Sequence, residues 1–549
     1  MEKVKNIFLL ATIFAGANVA SATDFVLSTN AATALPATNT SYDVYYTGAS
    51  ANNAMLGVAG ETYNLQSLVF KAGGVSIPNT DSTSVTPKEW LTAGNFVIDI
   101  NSAEGETIAI KNESTARLNF KNGTITIKNT ATPSTAEDAI SPVAVIDLGS
   151  NPKGLIAQVN FTLDIQTNSK ITSSATGAWN ECYLYNKMAV KVNNASTLTM
   201  DAVSSFGSGT NTPANQTFDV TNNSTVVFNK KAFFYSATVN VDSTSTLQLN
   251  AVSYFGNEDS ASATKATIDG SLDLNDHMYI YNGASVVAKS FDHQNGAYVN
   301  VYGTLETQST TSFANTEIFN GGVLKQTSGT ETTVKRNFVV NNGAEFYTTG
   351  TVKLTAGTTD STNSDKKWAY IQIDDGATFT IDNADARVIF NNGELILNKE
   401  NAITNKAGEA IRLVTQANSK NNVVTINASQ EFSASYVNES SMQYFLSDDA
   451  SVTLKARFTA EGEGSKHVFH NFDENRIFVI NANSFETVES INAMFEAYQT
   501  VNGEEVKIDQ LYINNGWLSA INPAVPEPAE WAMILGSIAL GLAIYRRRK

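Results

Sequence analysis

His467 and His470 lie three residues apart in Lys466-His467-Val468-Phe469-His470. The segment reads as a strand or loop, and on a strand that spacing sends the two imidazoles to opposite faces, so they are not expected to share a metal ion. His277 and His293 stand alone, each beside an aspartate, and are expected to be exposed. Cys182, the chain's one cysteine, has no histidine near it in sequence and reads as a small buried hydrophobe rather than a nucleophile. One cysteine also excludes an intrachain disulfide framework and any multi-thiolate metal centre.

Carboxylates are the remaining source of chemistry. Asp374, Asp375, Asp382 and Asp385 fall within twelve residues, and Asp448 and Asp449 form a second pair. On a parallel β-helix such acids bind Ca²⁺ or cleave polysaccharide, as in pectate-lyase-like enzymes. However, Asp374-Asp375-Gly376 already reads as a turn, and no EF-hand or Gly-Gly-x-Gly-x-Asp pattern occurs. The chain also lacks a G-x-S-x-G elbow, a Gly-Lys-Ser/Thr phosphate loop and an H-E-x-x-H pair. No catalytic, cofactor-binding or metal-binding residue is assigned, and no cofactor is expected.

The elements that would carry these residues form a degenerate repeat. A short apolar strand, an Asn/Asp-Gly turn, a small residue and alternating apolar positions recur at Thr267–Leu274, Tyr279–Val287, Val299–Leu305, Phe319–Leu324, Val340–Ala344, Ile373–Phe379, Phe390–Leu395 and Ile513–Leu518. Weaker copies surround Asn122-Gly123, Asn193-Asn194 and Asn222-Asn223. Asn, Asp and Gly enter the left-handed region cheaply and so suit corners between strands. Turn glycines at 270, 283, 303, 321, 343, 376 and 393 are separated by 13, 20, 18, 22, 33 and 17 residues, mostly near one coil of a β-solenoid. Alternate Val, Ile, Leu and Phe would face inward, Thr and Ser would face water, and stacked Asn side chains would form ladders. The fold class expected is all-β: a long parallel β-helix (β-solenoid) with coils of roughly 20 residues. The alternative is a hairpin-based β-sandwich or propeller, because strand, Asn-Gly, strand is also a hairpin signal.

One segment departs from the β pattern. Asn483 with Glu486 resembles a capping box, and Val488, Ile491, Met494, Phe495 and Tyr498 follow at helical spacing. The spacing predicts a short helix covering the open end of the solenoid.

Both ends of the chain read as addresses. Lys3 and Lys5, an apolar run from Asn6 to Ala15, and Ala20-Ser21-Ala22 make a secretory signal peptide over 1–22, cleaved after Ala22. At the other end Pro526-Glu527-Pro528 precedes an uncharged stretch from Trp531 to Tyr545, followed by Arg546, Arg547, Arg548 and Lys549. As a helix the uncharged stretch spans about 22 Å, short of the ~30 Å bilayer core, so it reads as a short transmembrane anchor with a cytoplasmic C-terminus. This tail resembles the PEP-CTERM sorting signal, in which a Pro-Glu-Pro motif, an apolar helix and an Arg-rich end are recognised in the membrane by an exosortase. Ala529-Glu530 stands where members of that family usually carry small hydroxyl residues. Gly516-Trp517-Leu518-Ser519-Ala520 resembles the phrase that leads into the sorting motif of β-helical, passenger-like members. The division expected is 1–22 signal peptide, 23–480 solenoid body, 481–522 cap and 523–549 sorting signal.

Composition agrees with this outline and narrows the partners. Asn and Thr contribute about 60 residues each, well above ordinary usage. The chain carries 36 Lys+Arg against 53 Asp+Glu, a net charge of -17. Six of the bases and three of the acids sit in the two end segments, so the body is more acidic still. Nucleic acid is excluded as a partner, because no basic surface displaces counterions from phosphates. The function expected is that of an exported, non-enzymatic structural or adhesive protein of the cell surface or extracellular matrix. The resemblance implies an exosortase-type protease or transpeptidase as partner, a transient anchor in the inner membrane of a Gram-negative-type bacterium, and release outward. Extracellular polysaccharide is the candidate ligand. A carbohydrate-active β-helix enzyme is the alternative, and an autotransporter passenger is disfavoured because the tail is a basic helix rather than a β-barrel strand.

Overall fold

The computed structural model describes residues 22–28, 31–36, 39–136, 138–151, 155–175, 182–184, 188–207, 216–259, 264–294, 296–309, 312–327, 331–355, 369–479, 487–523 and 528–547. The chain is nearly all β with long parallel sheets, and its contacts divide it into two units at Cys182/Tyr183.

In the second unit the strands run as stacked three-sided coils. One coil comprises Thr217–Val220, Thr225–Phe228 and Ala232–Phe234, and the next comprises Thr238–Val241, Thr246–Leu249 and Ser253–Phe255. Thr217 pairs in parallel with Thr238, Thr225 with Thr246 and Ala232 with Ser253, so all three faces advance together by one equal stride. The following coils keep a similar stride, with Lys265 beside Ser285, Ser285 beside Thr304 and Thr304 beside Val323. Evenly matched parallel neighbours are what a solenoid requires and what a chain of hairpins cannot give, so the sandwich and propeller alternatives are excluded here.

Alternation builds the core. Phe218, Val220, Val226, Phe228 and Phe234 are buried between outward Thr217, Asp219, Thr225 and Phe233. Burying each such aromatic or aliphatic side chain stabilises by about 1.5–3 kcal/mol. Inside, Phe206, Phe234 and Phe255 stack from coil to coil with centroids 5.1 and 4.8 Å apart.

The corners carry the polar ladders. Asn275 Nδ2 donates to Asn250 Oδ1 at 2.7 Å, Asn250 to Asn229 at 2.8 Å, and Asn229 to Asp201 at 2.8 Å. A second run joins Asn427 to Asn398 and Asn398 to Asp374. The backbone N–H of Ser196 donates to the Ser224 hydroxyl, and that of Ser224 to the Ser245 hydroxyl. Burial pushes the Asp242 carboxyl up, but bonds from Ser245, the Asn222 amide and Thr244 outweigh this and hold it at about 2.

The glycine spacings now have a geometric origin. Gly283, Gly303, Gly321, Gly343 and Gly376 all stand between a third-face strand and the next first-face strand. Gly270 instead lies inside Lys265–Leu274, between the first and second faces, and Gly393 opens the third-face strand Gly393–Leu397. The two shortest intervals, Gly270 to Gly283 and Gly376 to Gly393, therefore join different corners.

The first unit is parallel too but less regular. Thr23 pairs with Tyr42, Leu68 with Ile110, Phe96 with Ile125 and Ser169 with Ala144. Its core is richer in large rings: Trp90 lies against Tyr46 and Phe70, and its indole N–H donates to the Ser114 hydroxyl at 2.8 Å. Buried Glu89 is paired with Arg117 and accepts from Asn119.

At the C-terminal end of the second unit the parallel pattern stops. Phe495–Val501 pairs in parallel with His467–His470 and then turns back on Glu504–Lys507 as an antiparallel hairpin. Ile477–Val479 meets Trp517–Ser519, itself antiparallel to Tyr512–Asn514. The helix of this region, α1, covers Val488–Met494 and buries Ile491. It is shorter than its spacing predicts, because Phe495 and Tyr498 belong to the strand that extends the third face. Its cap is Thr487, whose side chain accepts from the Ser490 amide while Ser490 reaches back. Asn483 and Glu486 lie outside the described residues.

The tail is a helix, α2, over Pro528–Arg547, with Met533, Leu535, Leu540 and Leu542 between 59 and 69% exposed. Among the described residues no helix is long and apolar enough to cross a membrane. The expected span from Trp531 to Tyr545 is therefore present as helix but not as a membrane crossing. Glu530 at one end and Arg546 and Arg547 at the other confine its uncharged part to less than the bilayer core.

Candidate functional site

The histidines are placed by strand alternation. His467 points inward and is fully buried, whereas His470 lies on the outer side of the same strand, as their spacing predicts. His467 Nε2 donates to the Thr459 carbonyl at 3.1 Å, leaving Nδ1 to accept from the Tyr444 hydroxyl at 3.2 Å. Burial drives its pKa down to about 3, so it is a neutral, satisfied core group. His470 is sandwiched between the rings of Phe445 and Tyr498 and bonded to Glu505 and Gln443.

His293 is not exposed as expected but 2% accessible. In Ser285–His293 the alternation puts Phe291 and His293 inward and Asp292 outward, and His293 sits beside buried Leu274 of the preceding coil. Its Nε2 donates to the Ala297 carbonyl and its Nδ1 accepts from the Ala314 amide, and burial lowers its pKa to about 4. His277 is half-exposed, bonded to Asp276 and stacked on Tyr298 with centroids 4.6 Å apart. Cys182 is buried.

The carboxylate cluster is distributed among separate structural roles. Asp374 accepts from Gln372 and Asn398 at 2.9 Å each. Asp382 accepts from the Tyr347 hydroxyl and from Lys406, which together hold its carboxyl below the usual range. Asp385 pairs with Arg387 and Arg412, and Asp448 accepts from Asn471. An open cleft of about 320 Å³ lies beside the Asp382–Lys406 pair, between the corners at 382–384 and 405–407. Among the described residues no group of three or more His, Cys, Asp and Glu is placed to hold a metal ion.

Of the sorting residues, Pro528 opens α2 and Arg546 and Arg547 form its last turn. Ala22 directly precedes the first strand, Thr23–Leu27. Ala20, Pro526, Glu527, Arg548 and Lys549 lie outside the described residues.

The feature that sequence reading missed is aromatic. On the outer side of the third face, Phe233, Tyr254 and Tyr279 occupy one register row, with ring centroids 4.7 and 5.2 Å apart and planes within 17°. A second row, one position beyond the strands, holds Tyr281, Tyr302 and Phe319 at 5.7 and 4.2 Å. Tyr279 and Tyr281 join the rows, with centroids 6.1 Å apart. Inward neighbours such as Phe255 and Ile280 make the core while these rings stay half-buried at the surface. Burial, with Glu258 the leading charge on Tyr281 and Glu317 on Tyr302, raises both phenol pKas, so the hydroxyls remain neutral donors. The available signal was an outward Tyr or Phe recurring at coil intervals, obscured by the Asn-Gly turns beside it.

Compared with models of known families, with curated proteins and with solved structures, the chain matches none.

Proposed function

We propose that this protein is an exported, non-enzymatic structural or adhesive component of the cell surface or extracellular matrix, held transiently at the inner membrane by its tail. The observation that carries the reading is α2: an apolar helix with exposed side chains and an Arg-rich end, preceded in sequence by Pro526-Glu527-Pro528. Such a helix is unfavourable in water and favourable lying at a membrane interface, with its apolar side chains out of water and its cations against anionic headgroups. The resemblance to the PEP-CTERM signal adds an exosortase-type protease or transpeptidase as the processing partner. Two further features support a structural role: the stacked parallel coils of the second unit give a regularly repeating outer surface, and His293, His467, Asp374, Asp382, Asp385 and Asp448 are engaged in packing and pairing.

Cell fractionation of the full chain, beside a variant with Pro526, Glu527 and Pro528 all changed to Ala, tests the reading. The unaltered chain is expected outside the inner membrane and shortened at its C-terminus by mass spectrometry. The variant is expected to remain membrane-bound with α2 attached. An intact tail on surface-recovered protein would overturn processing, and retention of the unaltered chain in the cytoplasm would overturn export.

A further inference from the structure

We propose that the tyrosine-rich outer surface of the third face, from Phe233 to Phe319, is a binding site for an uncharged, extended glycan lying along the coil-stacking direction. This deepens the adhesive reading and rests on it only for its setting, because binding is read on purified protein and survives a failure of the export reading.

The fold does not require rings at these positions. At the next positions of the first row the same outward register is held by Asn300 and Glu317, with rings returning only at Phe445 and His470, and farther along the second by Asn341, Asp374 and Asn398. There, side-chain amides and carboxylates join the coils without aromatics. The aromatic stretch therefore adds something the polar ladder does not: a continuous amphipathic strip, repeating at the ~4.8 Å spacing of parallel strands, with apolar ring edges and phenolic hydroxyls side by side. Rigid tyrosines form large contact areas at low entropic cost.

Charge selects among ligands. Neither row contains a lysine or arginine, and Glu258, Asp276 and Glu317 act on its phenols. In a chain of net charge -17 this surface repels nucleic acid, acidic glycans, anionic lipid and another copy of itself. An uncharged glycan meets no such penalty. Its C–H groups pack against the apolar ring edges, its hydroxyls donate to the carboxylates and accept from the phenols, and one hexose of an extended chain is close in length to the rise of one coil, about 4.8 Å.

Affinity electrophoresis of the purified full chain tests this, in gels containing hydroxyethylcellulose or mixed-linkage β-glucan as neutral glycans and alginate as the acidic one. At least one neutral glycan is expected to retard the protein and alginate is not. The double variant Tyr281→Ala/Tyr302→Ala is expected to weaken binding about tenfold, as loss of two ring contacts implies. Tyr281→Phe/Tyr302→Phe, which keeps the rings, is expected to lose less, and Tyr498→Ala, on a separate stack, nothing. Melting curves matched to the unaltered chain confirm that the variants fold. The proposal is overturned by no retardation in either neutral glycan, by retardation in alginate as strong, or by equal binding of the Ala and Phe double variants. Capture of labelled oligolysine without glycan binding would also overturn it, assigning the surface to a basic protein.

Discussion

A buried imidazole that keeps both nitrogens bonded is a polar group the core tolerates only while it is neutral. His293 and His467 are both of this kind, with pKa values lowered by burial to about 4 and about 3. In the unfolded chain each would titrate near 6.5. Above that pH the two states bind equal protons, and full stability is present. Below it the unfolded state gains protons that the native state refuses, so stability falls with decreasing pH until the native values are approached. Each histidine is expected to remove about 1.4 kcal/mol of unfolding free energy per pH unit below 6.5. Denaturant titrations from pH 7 to 4.5 will show this, and His467→Gln will reduce the slope; a flat profile over that range would contradict the neutral, buried assignment. The opposite facing of His467 and His470 was legible from their odd spacing. The burial of His293 was not, because an adjacent aspartate suggested solvent while the strand phase placed Asp292 outward and His293 inward.

At the scale of elements, the corner decides which residues the repeat accepts. Gly303 needs no left-handed backbone, yet a Cβ there would run into the carbonyl oxygens of Tyr281 and Ala284. Gly296, two residues before Tyr298–Val301, has no atom within 4 Å of its would-be Cβ. Gly303→Val is therefore expected to cost more than about 2 kcal/mol, and Gly296→Ala to be neutral or stabilising by about 0.4–1 kcal/mol. Thermal or denaturant unfolding separates them; equal effects would mean that the coils relax around the added carbon. The strand-corner-strand phrase was legible as a repeat, but its phase was not, since Asn and Gly serve all three corners. For the same reason helical spacing at 488–498 over-ran α1: Phe495 and Tyr498 gain more by extending the third face than by adding a helical turn.

At the scale of the whole molecule, a parallel array exposes unpaired strand edges where it ends, and those edges recruit further chains. In the second unit the C-terminal edge is met by antiparallel strands and α1. Deleting residues 487–519 is expected to leave the remaining β-structure intact by circular dichroism while light scattering reports association; a monodisperse product would show that the cap is dispensable. By itself the sequence determined the all-β class, the approximate length of a coil, the inward and outward alternation and the Asn corners. All of these are local consequences of period-two patterning and left-handed propensity, repeated often enough to be read through noise. Only the tertiary structure decided that neighbouring strands are parallel, which corner each glycine serves, and that rings at coil intervals meet in one strip. Those depend on the inter-coil register, and register is set by how whole coils stack rather than by any single stretch of chain.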